Sequence, residues 1–159
     1  MSEFFANFST LIIFLHVLSA IIWIGGMIVI RFGVHYSMQK IEEPKQRLGR
    51  TLENLQRFFN MVIVSIVLLL LTAIIMILAI DFKQTSLYSI VILKEAIWIV
   101  MTLIFAFIYL KRQKAQKAFD NGDFLNAKNH LEPLAKYLIP INIILGLFAV
   151  LFGITLRGF

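Results

Sequence analysis

Three ionisable side chains lie well inside apolar stretches of this chain: His16, Lys94 and Glu95. Such groups are costly at membrane depth and usually face a bundle interior or a cavity. A neutral imidazole can bind a metal ion, and a buried ammonium can bind a carboxylate or offset the charge of a metal centre. Each of the three is therefore a candidate site residue, although His16 and Lys94 also have structural interpretations, as a helix-bonding histidine and a snorkelling interface anchor.

The residues around His16 indicate which face of its helix packs against other helices. Steps of three, four and seven residues from His16 lead to Ser9, Ser19, Ala20, Trp23, Gly26 and Met27. Small residues mark the packed face of a membrane helix, so we expect this stripe to face the interior. Lys94 and Glu95 point about 100° apart, and the Lys94 stripe continues through Trp98 and Met101.

A second polar layer includes Arg31 and His35, which are four residues apart and share a helix face. Asn142, which follows Pro140, belongs to the same layer. These side chains are expected to act mainly as headgroup anchors and helix-helix contacts. His130 lies in a segment rich in Lys and Asn, where we expect it to be solvated.

The elements that position these residues are membrane spans. The chain has 159 residues, of which 60% are hydrophobic and 15% charged, with no cysteine, and its mean hydropathy is +0.86. A bilayer core needs about 20 apolar residues in a helix. Four stretches qualify: 11–30, 58–80, 91–110 and 137–156. With short connections they predict an all-α, integral membrane, antiparallel four-helix bundle, formed by a single domain over 1–159.

Two segments beyond the spans predict where helices end. The run Phe119-Asp120-Asn121-Gly122-Asp123 is typical of a turn. Leu131-Glu132-Pro133 is predicted to open the last helix.

Most of the positive charge lies in two segments between spans. Segment 31–57 contains six Lys or Arg, segment 111–136 contains another six, and the 81–89 loop has only Lys83. By the positive-inside rule both basic segments are cytoplasmic and both termini face outside. This pattern predicts a multi-pass protein of a bacterial-type cytoplasmic (inner) membrane, whose partner is the lipid bilayer rather than nucleic acid.

The run from Leu15 to Met27, with His16 followed seven residues later by Trp23-Ile24-Gly25-Gly26, resembles the first-span motif of the copper-resistance D (CopD) family. The wider pattern of His16, Trp23, Arg31, His35 and Lys94 resembles the HemJ-type protoporphyrinogen oxidase family of small four-helix membrane proteins. Ile92 and Ile30 stand where that family usually has a histidine and a proline.

The resemblance implies a haem b-binding or porphyrin-handling redox protein, with an oxidoreductase activity of the protoporphyrinogen oxidase type as one form. His16 is then the metal ligand, and Lys94 and Arg31 are the candidate catalytic residues. The other candidate cofactor-binding residues are Trp23, His35, Met76, Trp98 and Met101.

Two other functions stay open. A copper, small-cation or metabolite transporter would use His16 with Met27, Met76 or Met101 as soft ligands, and would need a homodimer or a partner to form a path. A non-catalytic assembly subunit would use its polar residues only to hold helices together.

Overall fold

A computed structural model describes residues 2–79 and 87–156. Four long helices contain nearly all of them, and each is long and apolar enough to cross a membrane: α1, Glu3–Gln39; α2, Pro44–Ala79; α3, Tyr88–Asp120; and α4, Phe124–Thr155. The prediction of an all-α four-helix membrane bundle is confirmed. Most of the predicted 81–89 loop lies outside the described residues.

The helices extend beyond the predicted spans. They contain 37, 36, 33 and 32 residues, which corresponds to about 50 Å each, against a bilayer core of about 30 Å. The surplus lies mainly in the two basic segments, which continue α1, α2, α3 and α4 at one end of the bundle. We call this end the basic end, and the other the opposite end.

The turn between α3 and α4 is where the sequence predicts it. Gly122 adopts φ +79°, which a residue without Cβ adopts at little cost. Asp123 then caps α4, because its Oδ1 accepts a hydrogen bond from the Asn126 backbone N–H at 3.0 Å.

The prediction that Leu131-Glu132-Pro133 opens the last helix is wrong, since α4 already begins at Phe124. Pro133 lies inside the helix. Its missing N–H and its ring disturb the regular hydrogen bonding, and a wider π-helical segment follows at Leu134–Leu138. The backbone therefore absorbs this proline by widening for about one turn.

Helix α1 contains two more π-helical segments, Ile21–Gly25 and Val29–Val34. Each includes a glycine, a poor helix former. The first segment contains part of the CopD-like motif, and the second contains Arg31. Short π-helical segments are frequent at functional sites.

The bundle core lies between two packed pairs of helices, because α1 packs mainly along α2 and α3 along α4. The largest fully buried side chains include Trp23, Met27 and Phe59. Gly26 lets α1 approach α2, since a Cβ at this position would collide with the Phe58 ring. The outer surface carries many exposed Leu, Ile, Val and Phe side chains, which a water-soluble monomer would not tolerate as a continuous belt. The protein is therefore a multi-pass membrane protein.

Candidate functional site

The His16 ring faces the bundle interior, where it contacts α2. Its Nδ1 lies 2.8 Å from Thr72 Oγ1, and the Thr72 hydroxyl donates its proton to the Leu68 carbonyl at 2.6 Å. A hydroxyl has only one proton. The arrangement that satisfies both contacts therefore has His16 Nδ1–H donating to Thr72, which leaves the Nε2 lone pair as the free basic position of the ring.

Lys94 approaches the same region from α3. A Cβ added at Gly153 of α4 would lie 3.4 Å from Lys94 Nζ. His16 thus joins α1 to α2, and Lys94 joins α3 to α4, near the same opposite end of the bundle. We call the three polar side chains His16, Thr72 and Lys94 the His16 cluster.

The His16 cluster carries a positive charge without a matching acid among the described residues. Glu95 is adjacent to Lys94 in sequence but its side chain is exposed on the surface of α3. The ion pairs within the described ranges join Glu53 to Arg50 and Arg57, and none includes Lys94. A desolvated ammonium is stabilised by a nearby negative charge. The cluster thus suits an anionic group better than a second cation.

Met76 and Trp98 flank the His16 cluster. Met76 is one helical turn beyond Thr72 toward the opposite end and is half-buried. Trp98 is one turn deeper than Lys94, and its buried Nε1–H has no hydrogen-bond partner in the described structure. Buried polar groups are normally paired, so this N–H is a donor without a defined acceptor beside the cluster.

Trp23 and Met101 belong to the packed core instead. Each lies seven residues along its helix from His16 or Lys94, which is about 10 Å deeper. Trp23 is 1% exposed and Met101 3% exposed, and the Trp23 ring packs edge-on against Phe105 at 6.2 Å. The structure therefore does not bring the Met101 sulfur to the ligand position of His16.

Arg31 and His35 lie at the basic end. They are 15 and 19 residues from His16 on the same helix, or about 22 and 28 Å. Both line a groove there, and His35 Nε2 accepts a hydrogen bond from the Gln39 side-chain amide at 3.0 Å. The predicted site residues thus fall into two separate polar regions with the core between them.

The prediction that Asn142 belongs to the layer of Arg31 and His35 is wrong, because Asn142 lies at the level of Met101 in the packed core, where it makes a helix contact of the predicted type. Asn142 is completely buried, and its Nδ2 donates to the Met101 carbonyl of α3 at 3.3 Å. This hydrogen bond joins α4 to α3 within the membrane, as expected for a polar residue that holds helices together.

The donor set decides which groups the His16 cluster could hold. Within residues 2–79 and 87–156, no three His, Asp or Glu side chains come together as a metal-ion site. The cluster provides one imidazole Nε2 and one ammonium, and Trp98 beside it has one indole N–H without a partner in the described structure. These are groups that a haem or another porphyrin would use, since its iron can take a histidine ligand and its propionates carry negative charge.

Sequence reasoning missed two features of these regions. Thr72 is one of few polar residues in the apolar run 58–80, and this is the signal that the sequence offers for it. Arg112 belongs to the basic segment 111–136, whose charge pattern by itself predicts an exposed loop residue. It is 8% exposed, and its Nη2 donates to the Leu52 carbonyl of α2 at 3.0 Å.

No protein-family model, no curated protein and no solved structure matches this chain. The likeness to the CopD and HemJ-type families is therefore carried only by the residues quoted from the sequence. The function has to be inferred from the geometry of the His16 cluster.

Proposed function

We propose that this protein binds haem b or a related porphyrin at the His16 cluster and handles it as a membrane redox protein. The observation that carries the proposal is a histidine with a free Nε2 beside a half-buried lysine that has no acidic partner among the described residues. The resemblance of His16, Trp23, Arg31, His35 and Lys94 to the HemJ-type pattern suggests the same cofactor class.

Each residue of the His16 cluster has a distinct part in this proposal. His16 Nε2 would ligate the iron, and Thr72 would hold the ring in the required tautomer from the other nitrogen. Lys94 would pair with a propionate. Met76 is the candidate for a second ligand, since it is within about one turn of Thr72 on the same helix. Bound haem supplies one-electron redox chemistry.

We propose a bacterial-type cytoplasmic membrane as the location, with both termini outside. Twelve of the fifteen Lys and Arg residues lie in the two basic segments, and the positive-inside rule assigns such segments to the cytoplasm. The His16 cluster would then lie in the outer leaflet.

The absorbance spectrum of protein expressed with sufficient haem tests the cofactor. We expect a Soret band in the wild type, its loss or strong shift in His16→Ala, and an unchanged band in His130→Ala. Lys94→Met is expected to keep iron ligation but to weaken haem retention about tenfold, and Lys94→Arg to restore most of it.

Three outcomes would overturn the proposal. A wild-type protein without a Soret band would exclude haem, and copper uptake that depends on His16 would favour the transporter. If His16→Ala and Lys94→Ala only lower the melting temperature and leave every bound ligand in place, the assembly-subunit function would be supported instead.

A further inference from the structure

The basic end contains a groove that the proposed haem function does not use. It has a volume of about 700 Å³ and lies between α1, α2 and α4. Small-molecule sites typically have volumes of about 300–1,000 Å³. We call it the basic groove; its lining includes Arg31, His35, Arg47, Lys128, Glu132 and Lys136.

The lining of the basic groove has many more positively charged residues than negatively charged ones. Four of its lining residues are Lys or Arg, one is histidine, and the only acid in its lining is Glu132. None of the four cations takes part in the ion pairs within the described ranges, which all involve Glu53. Cations gathered around a concave surface attract an anion.

Apolar side chains lie at the bilayer end of the groove on two of its helices. On α1, Ile30 is the lining residue nearest the membrane-spanning part and Gln39 is the farthest from it. On α4, Ile139 is nearer and Lys128 farther. Isoleucines of α1 and α4 therefore border the groove where it meets the bilayer, as the acyl part of an amphiphile requires.

Arg31 and Lys136 lie at the level where headgroups meet acyl chains. The Arg31 guanidinium lies 5.6 Å from the centre of the Phe32 ring, and Lys136 Nζ lies 5.1 Å from that of Tyr137. Both rings are exposed on the bundle surface. Aromatic and basic residues together mark a membrane interface.

Two π-helical segments border the groove on opposite helices. Val29–Val34 of α1 contributes Arg31, and Leu134–Leu138 of α4 contributes Lys136. A π-helical turn is wider than an α-helical turn and changes the directions of the residues that follow it. The helix irregularities thus occur where the two helices form the walls of the groove.

We propose that the basic groove binds one anionic diacyl phospholipid. Its phosphate pairs with Arg31 and Lys136, with His35 beside them. Its acyl chains lie against Ile30 and Ile139, and continue into the bilayer. Binding here would tie α4 to α1 and α2 at the basic end.

Native mass spectrometry of the full-length protein, extracted from vesicles of equal phosphatidylglycerol and phosphatidylcholine, tests this site. We expect one retained phosphatidylglycerol per chain and little phosphatidylcholine. Arg31→Gln/Lys136→Gln should reduce its retention about tenfold or more, since each cation near the surface contributes to anionic-lipid binding.

The matched control is Lys114→Gln/Lys117→Gln. It removes two exposed charges from the basic end that do not line the groove, and we expect retention to be unchanged. Ala135→Trp fills the groove without changing its charge, so retention should fall although every cation is kept. Melting temperatures and circular dichroism identify variants that fail to fold.

Three results would overturn the proposal. Equal losses in the two double variants would indicate diffuse attraction of headgroups. Millimolar inorganic phosphate that displaces the lipid completely would indicate a site for the phosphate group alone. Full retention in Ala135→Trp would place the lipid elsewhere.

Discussion

Thr72 determines which nitrogen of His16 is available. Its hydroxyl proton is used by the Leu68 carbonyl, so its oxygen accepts from the imidazole Nδ1–H. A ligand histidine commonly donates its second nitrogen to such a partner, which fixes both tautomer and ring direction. The partner here is on a neighbouring helix, whereas Ser19 donates to the Leu15 carbonyl of its own helix.

We expect haem binding to depend on the hydroxyl group of Thr72 more than on the volume of its side chain. Thr72→Val keeps the side-chain volume but leaves the His16 Nδ1–H without an acceptor, and should weaken haem retention by about 10- to 100-fold. Thr72→Ser keeps the hydroxyl and should retain most of the binding. Haem titrations followed at the Soret band measure both, and identical affinities for the valine and serine variants would contradict this assignment.

At the scale of the elements, neighbouring glycines of α1 have different surroundings. A Cβ at Gly26 would collide with the Phe58 ring of α2, whereas a Cβ at Gly25 would meet nothing within 4 Å. The close approach of α1 and α2 therefore depends on Gly26. Small residues allow this approach between membrane helices.

This difference predicts opposite results for two otherwise identical substitutions. Gly26→Ala should destabilise the protein by about 1–3 kcal/mol, because the added methyl group overpacks the interface between α1 and α2. Gly25→Ala should be neutral or stabilising by up to about 1 kcal/mol, since alanine is the better helix former. Reversible unfolding in mixed detergent micelles compares them, and an equal change in both variants would show that the packing at Gly26 is not limiting.

At the scale of the whole molecule, the basic end and the His16 cluster lie on opposite sides of the buried core. Helices of about 50 Å extend past the bilayer, and the basic segments form most of that extension. The basic groove and the proposed haem site are therefore separate. Lipid binding at the groove can be measured in protein without haem, and haem binding can be measured in protein without the lipid.

A further prediction concerns the orientation of the whole protein in the membrane. The chain has no cysteine, so single cysteines at Lys45 and Lys117, both exposed, should be labelled by a membrane-impermeant reagent only from the cytoplasmic side. A cysteine at Gln84, which is outside the described residues, should be labelled only from outside. Labelling of the Gln84 position from the cytoplasm would reverse the assigned topology.

The sequence by itself determined the four spans and the inward face of α1. Long apolar runs leave few alternatives in a bilayer, and the stripe through Ser19, Trp23 and Met27 is buried as its spacing predicts. The turn at Gly122 followed from its local residue types. The start of α4 did not, because Pro133 usually signals a boundary and is absorbed here by a π-helical segment.

Only the tertiary structure decided which polar residues share a site. The spacing of residues along α1 shows that His16 and Trp23 share a face. It does not show that Thr72 of α2 contacts the His16 ring, or that Met101 of α3 packs in the core. Nor could it show that Arg31 of α1 and Lys136 of α4 line one groove. These relations depend on how the helices rotate and slide against each other, which is set by side-chain packing between helices and not by the hydrophobic pattern of any one of them.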